Sequence, residues 1–122
     1  MKFAKWVYRI AGIYGIAVLV PFYFIENNPQ AIPLPPITHP EYYYGFVGLG
    51  LAWQVAFLII STNPVKYRLL MLPSLIEKFS FAIAVAALLM SGRVGPYIIP
   101  GAAMDTLLGI LFLVSYLKTP KA

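Results

Sequence analysis

The chain has 122 residues, of which 61% are apolar and only 11% are charged, and its formal net charge is +5. A soluble domain of this length carries about 25% charged residues, so the composition argues against a water-soluble globule and against a disordered chain. The sequence has no cysteine, which excludes disulfides, thiolate metal sites and iron–sulfur ligation, and its single histidine excludes a bis-histidine haem.

Four long apolar stretches, each close to the ~20 residues that cross a bilayer as a helix, predict an all-α integral membrane protein. The apolar run at 81–90 does not alternate with polar residues, which argues against a transmembrane β-barrel. Short connections between the later stretches predict an antiparallel four-helix bundle that forms one transmembrane domain. The predicted helices cover residues 6–25, 42–61, 69–90 and 101–118.

The first stretch also has the form of a signal peptide, since Lys2 and Lys5 precede an apolar run. No small-residue cleavage site follows Val20, where the chain continues with proline and aromatic residues. We therefore expect this stretch to remain in the protein as its first transmembrane helix.

Residues 26–41 follow the first predicted helix and contain five of the eleven prolines. Proline fixes φ and lacks an amide donor, so we predict a stiff, extended outer loop. His39 and Glu41 lie at its end, and two such groups are a weak signal for a metal site. We interpret them as solvated loop residues and predict no metal site.

The basic residues are distributed asymmetrically along the chain. If both termini are cytoplasmic, Arg93 is the only basic residue in a connection on the outer side, and Lys78 lies within a predicted helix. Cytoplasmic loops of membrane proteins are enriched in lysine and arginine, so we predict both termini inside, in a bacterial inner membrane. The charge then contacts the lipid bilayer, not nucleic acid. The seven residues on the predicted cytoplasmic side are Lys2, Lys5, Arg9, Lys66, Arg68, Lys118 and Lys121.

Small residues are spaced by one helical turn in the first two predicted helices. Ala11 and Gly15 form one such pair, and Gly48 and Ala52 form the other. Small residues at this spacing allow helix backbones to approach closely in lipid. We therefore predict close packing between the first and second helices.

Polar residues within the predicted helices are the strongest functional signal, because each is unfavourable in lipid unless it is paired or hydrated. Counting along the helices places Arg9, Gln54, Ser74 and Glu77 in the cytoplasmic half, at overlapping heights. We predict that these residues form an inner-half polar cluster, a ligand or proton site to which Tyr14 is a further candidate.

The structural alternative for Glu77 is a buried ion pair with Arg9 that only fixes the helix register. Lys78 is rotated by ~100° from Glu77 on the helix, so we expect these two not to pair with each other. Lys78 is then expected to reach the headgroups or a partner on another helix, as a further member of the site. Pro73, one turn before Glu77, removes a helical hydrogen bond and so allows a kink beside the carboxyl group.

Asp105 lies about one turn inside the fourth predicted helix, and Arg93 lies in the connection before it. These two residues form a predicted secondary site at the outer side. Its ordinary interpretation is that the amide groups and dipole of the helix N-terminus stabilise the Asp105 carboxylate.

The sequence contains no hydrolase, P-loop, dinucleotide-binding or paired-histidine motif. Three hypotheses stay open. The favoured one is a non-catalytic accessory subunit or binder of a small amphiphile such as a lipid or quinone, expected to form homo-oligomers or join a larger membrane complex. The others are a proton-coupled transporter with Glu77 as carrier and an enzyme acting on a lipophilic substrate. No resident cofactor is predicted.

The order Arg9-x-x-Gly12, after a short basic N-terminus in a four-span chain, resembles the DoxX-like group of small bacterial membrane proteins. The segment Tyr67-Arg-Leu-Leu-Met-Leu-Pro73, followed by Glu77-Lys-Phe-Ser80, is similar to uncharacterised bacterial four-span proteins. The first resemblance implies a membrane partner subunit in sulfur or quinone redox chemistry. The four-helix multidrug exporters differ, because their first-span glutamate has no counterpart here.

Overall fold

The computed structural model describes residues 2–26 and 37–121, and every regular element in them is helical. This confirms the predicted all-α class. Short 3-10 turns at Val20–Phe24, Arg68–Leu70 and Pro96–Ile98 adjoin three of the four α-helices of this part of the chain. These helices are α1 (Lys2–Leu19), α2 (Pro40–Thr62), α3 (Met71–Met90) and α4 (Ile99–Lys118).

Each helix, together with its 3-10 turn where it has one, is long and apolar enough to cross a membrane. The four candidate spans have 23 residues each. At ~1.5 Å per residue this is about 34 Å, which exceeds the ~30 Å hydrocarbon core of a bilayer. The fold is therefore compatible with an integral membrane protein.

The outward surface of the helices is strongly apolar. Met90 is 89% exposed and Phe24 is 79% exposed, and large aliphatic side chains such as Ile76 and Ile83 also point outward. A water-soluble monomer rarely exposes apolar patches of this extent, whereas acyl chains are a favourable environment for them. The helical backbone satisfies its own hydrogen bonds, as a lipid-facing chain requires.

Consecutive helices pack in pairs. α1 lies along α2, α3 lies along α4, and the two pairs are joined mainly by contacts between α1 and α4. The core sits at the end of the fold that carries both chain termini. There the ring of Tyr8 stacks on Phe112 with centroids 4.1 Å apart, and Phe57 meets Phe112 edge-on at 4.9 Å. Ala4, Ile60 and Met71 complete this buried layer.

The close approach of α1 and α2 depends on glycine. A Cβ atom at Gly12 would lie 2.8 Å from the Leu58 side chain and 2.9 Å from the Gln54 carbonyl oxygen. At Gly15 a Cβ atom would overlap the Gln54 amide. The predicted close packing is present, and on α1 the residues that permit it are Gly12 and Gly15. Ala52, predicted to take part, is exposed.

Two sequence expectations concern prolines. α3 begins at Met71, so Pro73 lies in its first turn, where its missing amide hydrogen is tolerated. A proline at this position does not by itself require a kink beside Glu77. Most of the predicted outer loop, residues 27–36, lies outside the described residues; at its far end α2 begins at Pro40, two residues earlier than predicted.

Candidate functional site

Three charged side chains meet between α3 and α4, and we call them the ion cluster: Glu77, Lys78 and Asp105. The Lys78 Nζ atom lies 3.5 Å from Glu77 Oε2 and donates a hydrogen bond of 3.4 Å to Asp105 Oδ1. The Lys78 side chain is only 5% exposed, whereas those of Glu77 and Asp105 are 21% and 20% exposed. The lysine side chain is thus enclosed, whereas the two acidic side chains reach the surface in part, although the Glu77 Oε2 atom itself is buried.

The ion cluster lies near the middle of its two spans. Lys78 is ten residues beyond Arg68, where one span begins, and Asp105 is nine residues beyond Pro96, where the next begins. Both positions are about 15 Å from a span end at ~1.5 Å per residue. Ionised groups at this depth are strongly unfavourable unless they are paired.

The ammonium group of Lys78 also contacts the aromatic core. Its Nζ atom lies 5.3 Å from the centroid of the Phe57 ring on α2. A cation over an aromatic face is attracted by the ring quadrupole, most strongly where water is excluded. The ion cluster therefore touches α2, α3 and α4 and lies directly on the packed core.

The contact between Glu77 and Lys78 corrects the expectation that these neighbours do not pair. Their Cα–Cβ directions differ by about 100°, but the long, flexible lysine stem lets Nζ reach back toward Glu77 while it binds Asp105. The position of a lysine Cβ therefore does not decide where its charge lies.

Arg9 is not part of the ion cluster. Its guanidinium group lies 5.3 Å from the Trp6 ring on the same helix, and its side chain is partly exposed. Across residues 2–26 and 37–121, no ion pair joins Arg9 to Glu77, so the structural alternative proposed for these two residues is wrong. At this level of α1 the buried side chain is that of Tyr8, and the Arg9 side chain is rotated away from it by ~100° around the helix.

Gln54 and Ser74 are buried, but they serve other contacts. Gln54 Nε2 donates to the Gly50 carbonyl at 2.9 Å, and its amide packs against Gly15 on α1. Ser74 Oγ donates to the Leu70 carbonyl at 2.8 Å and lies beside Tyr8. The structure thus places both residues at helix contacts rather than around a shared inner-half cavity.

Three buried polar atoms have no hydrogen-bond partner among the described residues: Tyr8 Oη, Gln54 Oε1 and Glu77 Oε2. A buried polar atom without a partner is unfavourable and rare in well-packed proteins. Glu77 Oε2 is the one of the three that belongs to the ion cluster, where Lys78 lies close but does not satisfy hydrogen-bond geometry. The cluster therefore retains capacity to accept a hydrogen bond.

The prediction that Arg93 and Asp105 form one outer site is wrong. Asp105 is well inside its span and pairs with Lys78, so the N-terminal dipole of α4 does not account for it. Arg93 is exposed in the turn after α3. Tyr14 is 37% exposed and is not among the residues that contact the ion cluster. His39 Nδ1 contacts Glu41 Oε1 at 3.0 Å, and both side chains are exposed.

The sequence contained one signal that would have joined Asp105 to Lys78. Proline is favoured at the start of helices, so Pro96 marks an earlier beginning of the fourth span than residue 101. Counting from Pro96 puts Asp105 within about one helical turn of the depth of Lys78.

Charge decides what the ion cluster can do. Two carboxylates and one ammonium group carry a net charge of −1 when all three are ionised. In the low-dielectric centre of a membrane a net charge is unfavourable, and one bound proton or one bound cation would compensate it. No family model, curated protein or solved structure matches the chain.

Proposed function

We propose that this protein binds a small amphiphile whose positively charged or hydrogen-bond-donating end meets the ion cluster in exchange for a proton. The observation that supports the proposal is the pairing of two carboxylates with a single ammonium group at mid-span. A bound cation removes the same excess charge as a bound proton does. The two therefore compete for the site.

The exposure of the cluster favours a donor over an acceptor as ligand. Lys78, its only strong donor, is enclosed, while the carboxylate side chains of Glu77 and Asp105 are about one-fifth exposed. An incoming molecule thus meets the two acidic side chains, whose polar atoms, when ionised, act only as acceptors. This favours a cationic amphiphile, and it disfavours a quinone, whose carbonyl groups need donors.

Tetraphenylphosphonium, a lipophilic cation, is a suitable probe for the purified protein in lipid nanodiscs. We expect it to bind, with affinity that falls as pH falls, because protons then compensate the cluster charge. The limiting dependence is about tenfold per pH unit if one proton leaves for each cation bound. Glu77→Gln and Asp105→Asn should each weaken binding at least about tenfold and remove this pH dependence. Isothermal titration calorimetry measures both quantities.

Glu41→Gln is the matched control, since it also removes one carboxylate, but from an exposed pair with His39. It should bind the probe like the original protein. Equal affinity in Glu77→Gln and the original protein would contradict the proposal. Tighter binding of decylubiquinone than of the cation would instead support the quinone hypothesis.

Proton-coupled transport is the second candidate, and the same excess carboxylate favours it. A site that holds either a proton or a cation can exchange one for the other across a membrane if it opens to both sides. In proteoliposomes with a pH gradient, uptake of tetraphenylphosphonium that Glu77→Gln abolishes would extend binding to transport.

The accessory-subunit role, the DoxX-like relationship, oligomerisation and catalysis stay predictions.

We place both termini on the cytoplasmic side of a bacterial inner membrane, because of the basic residues at that end of the chain. Since the chain has no cysteine, single cysteines report topology directly. With the outer membrane permeabilised, a membrane-impermeant maleimide should label His39→Cys in intact cells, and Lys121→Cys only after the inner membrane is disrupted. The reverse labelling pattern would contradict this orientation.

A further inference from the structure

A second feature, separate from the ion cluster, lies at the end of the fold that carries the chain termini. An open apolar groove of about 420 Å³ runs between α1 and α4. We call it the terminal groove. Its walls are Phe3, Trp6 and Ile10 from α1 and Leu108 and Leu111 from α4, with Lys2 at its margin. Its volume is within the roughly 300–1,000 Å³ typical of small-ligand sites.

The margin of the terminal groove is positively charged. Lys2 is exposed beside it, and the Lys118 Nζ atom lies 4.8 Å from the Phe3 ring that forms part of its wall. The four acidic side chains of the chain lie elsewhere: Glu77 and Asp105 are at mid-span, and Glu26 and Glu41 adjoin the connection between α1 and α2. The groove thus combines an apolar floor with a cationic margin.

We propose that the terminal groove binds one anionic phospholipid, with an acyl chain along the floor and the phosphate group between Lys2 and Lys118. Charge complementarity identifies the occupant, because a zwitterionic lipid or a second copy of this cationic end brings no net negative charge to the two lysines. Each lysine near a membrane surface contributes attraction to anionic lipid equivalent to about a fivefold change in affinity. Trp6 lies where the acyl chain meets the headgroup, a depth that tryptophan favours.

The chain has two tryptophans, which allows a direct test. Trp53→Phe leaves Trp6 in the groove as the only tryptophan. The variant is reconstituted in phosphatidylcholine that contains brominated phosphatidylglycerol or brominated phosphatidylcholine, since bromine quenches tryptophan on contact. We expect the brominated phosphatidylglycerol to quench Trp6 with roughly 25-fold higher relative affinity, the product of two fivefold contributions. The reciprocal variant Trp6→Phe leaves the half-buried Trp53 as the reporter. Its quenching should differ little between the two brominated lipids.

Adding Lys2→Gln and Lys118→Gln to the reporter variant should reduce the preference to about twofold or less. Lys66→Gln with Lys121→Gln is the matched control, because it removes the same charge from two residues that do not line the groove, and it should keep the preference. Native mass spectrometry of the original protein, expected to retain phosphatidylglycerol over phosphatidylcholine, does not depend on Trp53→Phe folding correctly.

Three results would overturn the proposal. The first is equal quenching of Trp6 by the two brominated lipids. The second is the same loss of preference in the matched control as in the Lys2 and Lys118 variant, which would indicate only general surface charge. The third is quenching that disappears as the protein density in the membrane rises, which would show that a second copy covers the groove.

Discussion

Lys78→Met is expected to lower the free energy of unfolding by about 3–5 kcal/mol, the range for removing one partner of a buried ion pair. Methionine has similar volume, so the loss comes from charge and not from a cavity. The substitution leaves Glu77 and Asp105 at mid-span without the ammonium group that lies 3.5 Å and 3.4 Å from their oxygens. Unfolding in detergent mixtures, followed by circular dichroism, measures the change.

The triple variant Lys78→Met, Glu77→Gln and Asp105→Asn separates charge from packing. It leaves no uncompensated charge, so we expect it to recover most of the lost stability. The effects of residues in direct contact are not additive, and this recovery is the signature of their coupling. Full stability of Lys78→Met alone would show that the cluster is not held together as an ion pair.

Gly12→Val is expected to lower the free energy of unfolding by about 3 kcal/mol, the upper part of the usual range for overpacking. The new Cβ atom would lie 2.9 Å from the backbone oxygen of Gln54, which moves only if α1 and α2 separate. The same unfolding measurement applies.

Gly15→Ala tests the same interface in a milder way. Its Cβ atom would overlap the Gln54 side chain, whose flexible amide can swing away, so Gln54→Ala should rescue most of the loss. Gly45→Ala and Gly101→Ala are matched controls with open space around the added atom, and they should keep stability or raise it by up to about 1 kcal/mol, because alanine favours the helix over glycine. Equal losses at all four glycines would contradict close packing as the cause, because helix propensity by itself favours alanine and valine over glycine.

The sequence was informative where the physical signal is local. Long apolar runs predicted four helices, and their bounds differ from the structure mainly at the first residues, because polar or proline-containing turns at span ends were left out. Gly15 was correctly assigned to close helix packing, since small residues stand out in an apolar helix. The depth of a residue along its helix could also be counted from the sequence wherever the start of that helix was predicted correctly, as it was for Glu77.

The candidate site was harder to predict, because it depends on which helices are neighbours. Arg9 and Glu77 have opposite charge at overlapping depths, yet Arg9 lies over Trp6 on the partly exposed face of α1. Asp105 was assigned to an end of the fourth helix, although α4 brings it to Lys78. Charge and depth alone do not give the direction of a side chain around the bundle axis.

Composition and periodicity therefore established that the chain is helical and suited to a membrane, since these properties are sums over individual residues. The tertiary structure decided which acid meets which base. α3 packs along α4, so Lys78 lies between Glu77 and Asp105, and the α1–α2 contact turns Gln54 toward Gly15. Helix order and rotation arise from the packing of whole surfaces against one another, and no short segment of the sequence contains that information.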